Sequence, residues 1–240
     1  MYSELTDAYI GWSPSENLTV KILKQSAGFT LDGATSSKKL LTPERNNLTN
    51  NLWFTREYFT GLLVSGESTT GWHYKAGAFS SEGSEELSEF NAGYFILLSA
   101  GYDLAERLSI DQAIMRVDYV YNEEDPNNGT RDFSQVASLV TEWQAGSWGL
   151  RTDLSAGQGY GDQSDVWGVV VMPYYDLSPR TQAVFRYTYL SSDGSNGLRL
   201  SRYEDRLIDG RGDEYNDVFA GFNVFLYGHK LKWQTGLHRA

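Results

Sequence analysis

Three basic residues, Lys38, Lys39 and Arg45, lie within one short segment, TSSKKLLTPER at residues 35–45. The segment has neither a helical nor a strand period. Clusters of Lys and Arg set anion selectivity in pores, and the planar donor fork of Arg45 suits an oxyanion. The whole chain carries a formal net charge of -11, so this cationic segment is opposite in charge to the chain as a whole. They are candidate anion-binding residues, and their role depends on the elements that hold them.

Composition narrows the class of protein. A length of 240 residues fits one domain, here 1–240. The chain has 16 Tyr, 7 Trp, 24 Gly and 5 Pro, and the lack of Cys excludes disulfides and thiolate chemistry. A sequence pI of about 4.7 argues against a nucleic-acid partner. No run reaches the roughly 18 apolar residues of a transmembrane helix.

Alternation of apolar and polar residues predicts a β protein. In residues 148–156, for example, Trp148, Leu150, Leu154 and Ala156 interleave with polar or small residues. Segments of this kind predict about twelve strands, several of about ten residues or more. Tilted strands of that length can cross a bilayer.

The predicted connections alternate between short turns and long polar loops, and aromatic residues cluster near the strand ends. Both features are typical of a transmembrane antiparallel up-and-down β-barrel with aromatic girdles. The alternative is a surface-exposed or secreted β-sandwich, such as an adhesin or glycan-binding protein that uses Trp72, Trp143 or Trp167 as a sugar platform. The sequence pattern favours the barrel.

The longest predicted loop, residues 27–56, is too apolar for a free tail. It holds Leu40, Leu41, Leu48, Leu52, Trp53 and Phe54. Loops of this length are usually functional or disordered, and we expect this one to fold into the barrel and narrow it. The polar stripe of the wall carries both signs of charge, and Arg116, Arg151 and Arg186 are among its basic residues.

The sequence SSKKLLTPER followed by NLWFTREYFTG resembles the phosphate-selective porin O/P family of Gram-negative outer membranes. On that match Ser36, Ser37, Lys38, Leu40, Glu44 and Arg45 occupy one motif, and Arg56 with Glu57 a second. Thr42 and Pro43 depart from the family pattern, as does Leu23, where the family commonly has Gly.

The resemblance implies an integral outer-membrane diffusion channel, a homotrimer of barrels with about sixteen strands each. Its partners would be outer-membrane lipid and small, phosphate-like anions, with no cofactor and no metal. Lys38, Lys39 and Arg45 would form the constriction, Arg56 its exit, and Arg116, Arg151 and Arg186 the basic wall. MYSELTDAYI lacks the features of a signal peptide, so we expect the native N-terminus to precede Met1.

Catalytic chemistry has little support in the sequence, and we predict that the protein is not an enzyme. His73, His229 and His238 have no Ser or Asp partner at a motif spacing. A barrel enzyme would need a Ser/His pair at its external rim. The acidic stretch NEEDPNNG lacks EF-hand spacing and is expected to be a solvated loop.

Overall fold

The computed structural model describes residues 5–54, 57–195, 197–201, 204–206 and 211–240. They form one sheet of twelve antiparallel strands, in which each strand pairs with the next in sequence. No pairing between the first and last strands is observed among these residues. The strands are β1 (Ala8–Ser15), β2 (Leu18–Ser26), β3 (Tyr58–Glu67), β4 (Trp72–Ser80), β5 (Tyr94–Asp103), β6 (Gln112–Asn122), β7 (Phe133–Ala145), β8 (Trp148–Gly159), β9 (Val166–Ser178), β10 (Thr181–Ser192), β11 (Glu214–Tyr227) and β12 (Leu231–Arg239).

The predicted up-and-down topology and strand number are confirmed. Connections are short and long in strict alternation, so the long loops gather at one end of the sheet and the tight turns at the other. Two helices interrupt the connections, α1 (Asn47–Leu52) and α2 (Ala105–Leu108). Within the described ranges, every helix is too short or too polar to traverse a lipid bilayer.

Several strands bury charged side chains and expose large apolar ones, the reverse of a soluble core. In β8, Asp153 is 0 % exposed and Leu154 is 51 % exposed; in β10, Arg186 is 2 % exposed and Phe185 is 42 % exposed. Burying charged side chains while leaving large apolar ones outside is unfavourable in water. It is the arrangement expected of strands whose outer face meets hydrocarbon, and it disfavours the sandwich alternative.

The described part of the long loop, residues 27–54, is here called the interior segment. It lies against the inner face of the sheet, and its side chains join those of the strands in one core. Phe29 and Phe54 pack edge-to-face at 5.3 Å between ring centroids, and Phe54 packs in the same way on Phe59 and Phe95. The segment has short helical elements of its own, a 3-10 turn (Ser37–Lys39) and helix α1.

The alternation breaks in β2. Leu23 has a φ of 83°, in the left-handed region that L-residues other than Gly, Asn and Asp rarely adopt. Consequently Ile22 and Leu23 are both exposed, and Lys24 and Gln25 are both buried. Lys24 reaches the next long loop, where its Nζ donates to the carbonyls of Ser84 and Glu86 at 2.8 and 2.6 Å. Leu23, at a position where the family commonly has Gly, is therefore in a strained backbone conformation.

Candidate functional site: the interior segment and its cations

Charged residues of the wall hold the first half of the interior segment. The backbone N–H of Thr30 donates to the Asp118 carboxylate at 3.0 Å, and that of Leu31 donates to Asp153 at 2.8 Å. Arg116 donates to the carbonyl of Thr30 at 2.8 Å. These contacts come from β6 and β8, and they satisfy backbone groups that would otherwise be buried without a partner.

Strands farther along the sheet hold the second half. Arg186 of β10 donates to the Thr42 hydroxyl at 3.0 Å and to the Glu44 carbonyl at 3.3 Å. Asn223 of β11 donates to the carbonyl of Leu41 at 3.0 Å. Lys232 of β12 donates to the carbonyl of Leu40. Because strands from β6 to β12 reach one short segment, the sheet must curl around it.

Helix α1 packs on two glycines of the wall. Asn46 caps the helix by accepting from the Thr49 N–H at 2.8 Å. A Cβ at Gly157 would lie 2.8 Å from Leu52, and a Cβ at Gly168 would lie 2.8 Å from Leu48. The glycines therefore let the helix lie close to β8 and β9.

Each predicted basic residue of the wall is paired with a carboxylate of the wall. Arg151 lies directly opposite Glu142 in the register of β7 and β8. The three pairs and their nitrogen–oxygen distances are Arg116–Asp118 at 3.1 Å, Arg151–Glu142 at 3.3 Å and Arg186–Asp217 at 3.0 Å. Pairing cancels most of the field that these arginines would exert on a passing ion.

Arg45 stabilises the interior segment itself. Its Nε donates to the Asp32 carbonyl at 3.1 Å, and its guanidinium lies 4.8 Å from the Trp53 ring centroid. It also approaches the Glu57 carboxylate at 3.8 Å. Arg56, predicted at the exit of the constriction, lies outside the described residues.

Lys38 and Lys39 are exposed on the 3-10 turn, and neither forms an ion pair within the part of the chain that the structure describes. They face the tight-turn end, near His229 of the β11–β12 turn. Burial lowers the pKa of His229, and the charges of Lys232, Arg151 and Lys39 lower it further, while a hydrogen bond with the Lys38 backbone raises it. We call Lys38, Lys39, Arg151, His229 and Lys232 the turn-end cluster.

A second group of cations, the loop-end cluster, consists of Arg131, Arg199 and Arg211. Arg131 donates to the carbonyls of Asn50 at 2.6 Å and Trp53 at 3.2 Å, at the C-terminus of α1. Burial, together with the charges of Arg199 and Arg211, lowers the pKa of Arg131 to about 9. The Nε of Arg199 is buried without a hydrogen-bond partner among the described residues.

The family model for phosphate-selective porins O and P matches residues 1–170. The chain belongs to this family. The matched region includes β1 to β8 and the whole interior segment; β10 to β12 lie beyond it and continue the same sheet. A comparison with curated proteins finds no match. Family membership identifies the protein as an outer-membrane porin, a channel class and not an enzyme class.

The structure brings some of the predicted site residues of this porin together and separates others. Lys38, Lys39 and Arg151 share the turn-end cluster, whereas Arg45, Arg116 and Arg186 are engaged in holding the interior segment. Sequence reasoning missed the loop-end cluster. Its arginines lie on long loops rich in Asp and Glu, and the sequence does not show that Arg131 reaches the C-terminus of α1.

Proposed function

We propose that this porin passes small solutes with a preference for anions such as phosphate, and that residues 27–56 form its constriction. The observation that carries the proposal is the pairing of charges. The wall arginines are matched by carboxylates, while Lys38 and Lys39 stand exposed on the segment that crosses the interior. The excess positive charge therefore lies where a solute must pass.

The electrostatic attraction between one lysine and an anion is strong enough to produce a preference for anions. A unit charge about 4 Å from a monovalent anion contributes roughly 1 kcal/mol even at the dielectric constant of water. That corresponds to about a fivefold increase in local anion concentration for each lysine. The loop-end cluster would attract anions at the opposite end of the interior segment. Lipid embedding and a homotrimer are part of the proposal, and family membership supports both.

The route beside the interior segment carries both signs of charge. A cavity of about 390 Å³ separates Ala34 from the wall, and Glu16, Glu67, His73 and Lys75 are among its lining residues. The wall alone would therefore discriminate weakly between cations and anions. Selectivity in this proposal comes from the interior segment.

Conductance in planar bilayers tests the proposal. Phosphate is titrated into a chloride solution bathing the full chain, and single-channel current is recorded. If anions are preferred and phosphate dwells in the channel, chloride current falls in a saturable way as phosphate rises. A current that follows bulk conductivity alone would contradict the phosphate preference, and a cation-selective reversal potential would contradict the anion preference.

A further inference from the structure

A slot on the outer face of the sheet is framed by two aromatic residues. Tyr119 of β6 lies opposite Ala137 of β7, Ala137 opposite Ala156 of β8, and Ala156 opposite Trp167 of β9. The two alanines leave a shallow floor between the two rings, and the cavity there measures about 400 Å³. Contacts hold both aromatic side chains in place. The Tyr119 hydroxyl donates a hydrogen bond to the Gln135 side-chain oxygen at 2.8 Å, and the Trp167 ring centroid lies 5.4 Å from that of Tyr189.

The rows on either side of the slot differ in chemistry. Toward the tight turns, Val117, Leu139, Leu154 and Val169 form an aliphatic row in the same register. Toward the long loops, Gln135 lies opposite Gln158, and both line the cavity together with Asp165 and Asp193. The slot therefore lies where the hydrocarbon-facing surface gives way to a polar one, at the level of lipid head groups.

The polar rim consists mainly of hydrogen-bond acceptors. Asp165 and Asp193 are exposed carboxylates, and the Gln158 Oε1 accepts one long hydrogen bond, of 3.4 Å, from the Gln135 Nε2. Carboxylates repel phosphate, whereas they accept from hydroxyl donors. The aromatic walls offer apolar faces with polar tips, a combination suited to a ring with one apolar face and several hydroxyls.

We propose that this slot binds the neutral sugar head group of an outer-leaflet glycolipid, with the acyl chains lying on the aliphatic row. The inference rests on the lipid embedding proposed above, which family membership supports, and not on the anion preference. The sugar ring would lie between Tyr119 and Trp167, and its hydroxyls would donate to Asp165, Asp193 and Gln158. An amine-bearing phospholipid or a second copy of the chain is the competing occupant.

Native mass spectrometry of the full-length chain tests the proposal. The protein is incubated with mixed micelles containing digalactosyldiacylglycerol and, in separate samples, phosphatidylethanolamine or phosphatidylglycerol. We expect wild type to retain the glycolipid in preference to either phospholipid. Ala156→Leu fills the slot and should abolish that retention. Ala78→Leu adds the same bulk to the outer face of β4 and should leave it unchanged.

A second variant separates binding from folding. Asp193→Ala removes a rim acceptor without adding bulk and should lower glycolipid retention several-fold, and circular dichroism checks that each variant keeps its β signal. The proposal is overturned if Ala156→Leu retains glycolipid like wild type. It is also overturned if Ala78→Leu loses the glycolipid equally, if either phospholipid is retained as well as the sugar lipid, or if only a second protein copy occupies the face.

Discussion

Replacing Arg186 by Met tests whether the wall holds the interior segment. The Arg186 side chain is 2 % exposed and that of Asp217 is 1 % exposed, with 3.0 Å between their nearest nitrogen and oxygen. The same guanidinium donates to Thr42 and to the carbonyl of Glu44. Met keeps most of the volume but leaves Asp217 without this cation and the interior segment without two donors.

The expected decrease in the free energy of unfolding of Arg186→Met follows from the burial of the ion pair. Removing one partner of a buried ion pair costs about 3–5 kcal/mol, because the other charge is left uncompensated. His238 also contacts the Asp217 carboxylate, so the lower end of that range, about 3 kcal/mol, is expected. Arg186→Met/Asp217→Asn should recover more than about 1 kcal/mol of the loss, as coupling between directly interacting residues commonly does.

Urea unfolding in lipid vesicles, followed by tryptophan fluorescence, measures the change as a shift in midpoint. Arg180→Met is the matched control: Arg180 is exposed in the β9–β10 turn, and its replacement should alter the free energy of unfolding by less than about 0.5 kcal/mol. Single-channel conductance should also change in Arg186→Met, since the interior segment loses an anchor. A variant with the stability and conductance of wild type would refute the reasoning.

Two further substitutions test strain and charge in the same fold. Leu23→Gly should raise the free energy of unfolding by about 0.5–1 kcal/mol, because Gly adopts the left-handed conformation without a Cβ penalty. The control Leu62→Gly, on the facing strand, should lower the free energy of unfolding. A Leu23→Gly variant less stable than wild type would disprove the strain at Leu23. Burial raises the pKa of Glu44, which the Arg186 charge partly opposes. A carboxyl group whose pKa is raised by folding destabilises the folded state once it is ionised. For Glu44 this destabilisation is absent below the ordinary pKa of 4.5 and grows as pH rises through the pKa of the folded state. Glu44→Gln should therefore be more stable than wild type at pH 7 and equal to it in acid, as urea midpoints across pH would show; the opposite trend would contradict the assignment.

Strands were the predictable part of this porin because a period of two survives in most wall segments, whichever solvent the outer face meets. The sequence NLTNNL offers a single apolar pair at helical spacing, Leu48 and Leu52, which is too little to predict α1. The packing of the helix on Gly157 and Gly168 depends on the tertiary fold. Leu23 could be recognised as a departure from glycine, but only the backbone shows the reversed side chains that follow.

The charges of the site were harder to predict than the strands. Arg186 and Asp217 lie diagonally across β10 and β11, and such a contact depends on a register that composition does not give. Arg45 is predicted from the sequence to line the constriction; its contacts with the Asp32 carbonyl and with Trp53 could not be predicted in the same way. Lys38 and Lys39 remain exposed because no carboxylate of the described wall reaches the 3-10 turn.

The central claim is that exposed cations of the interior segment make the channel prefer anions. Reversal potentials in a potassium chloride gradient across a planar bilayer, compared for wild type and Lys38→Gln/Lys39→Gln, test it most directly. Arg180→Gln removes an exposed cation from a turn between wall strands and serves as the control. We predict that the double variant shifts toward cation permeability while the control matches wild type; a double variant with the reversal potential of wild type would contradict the account.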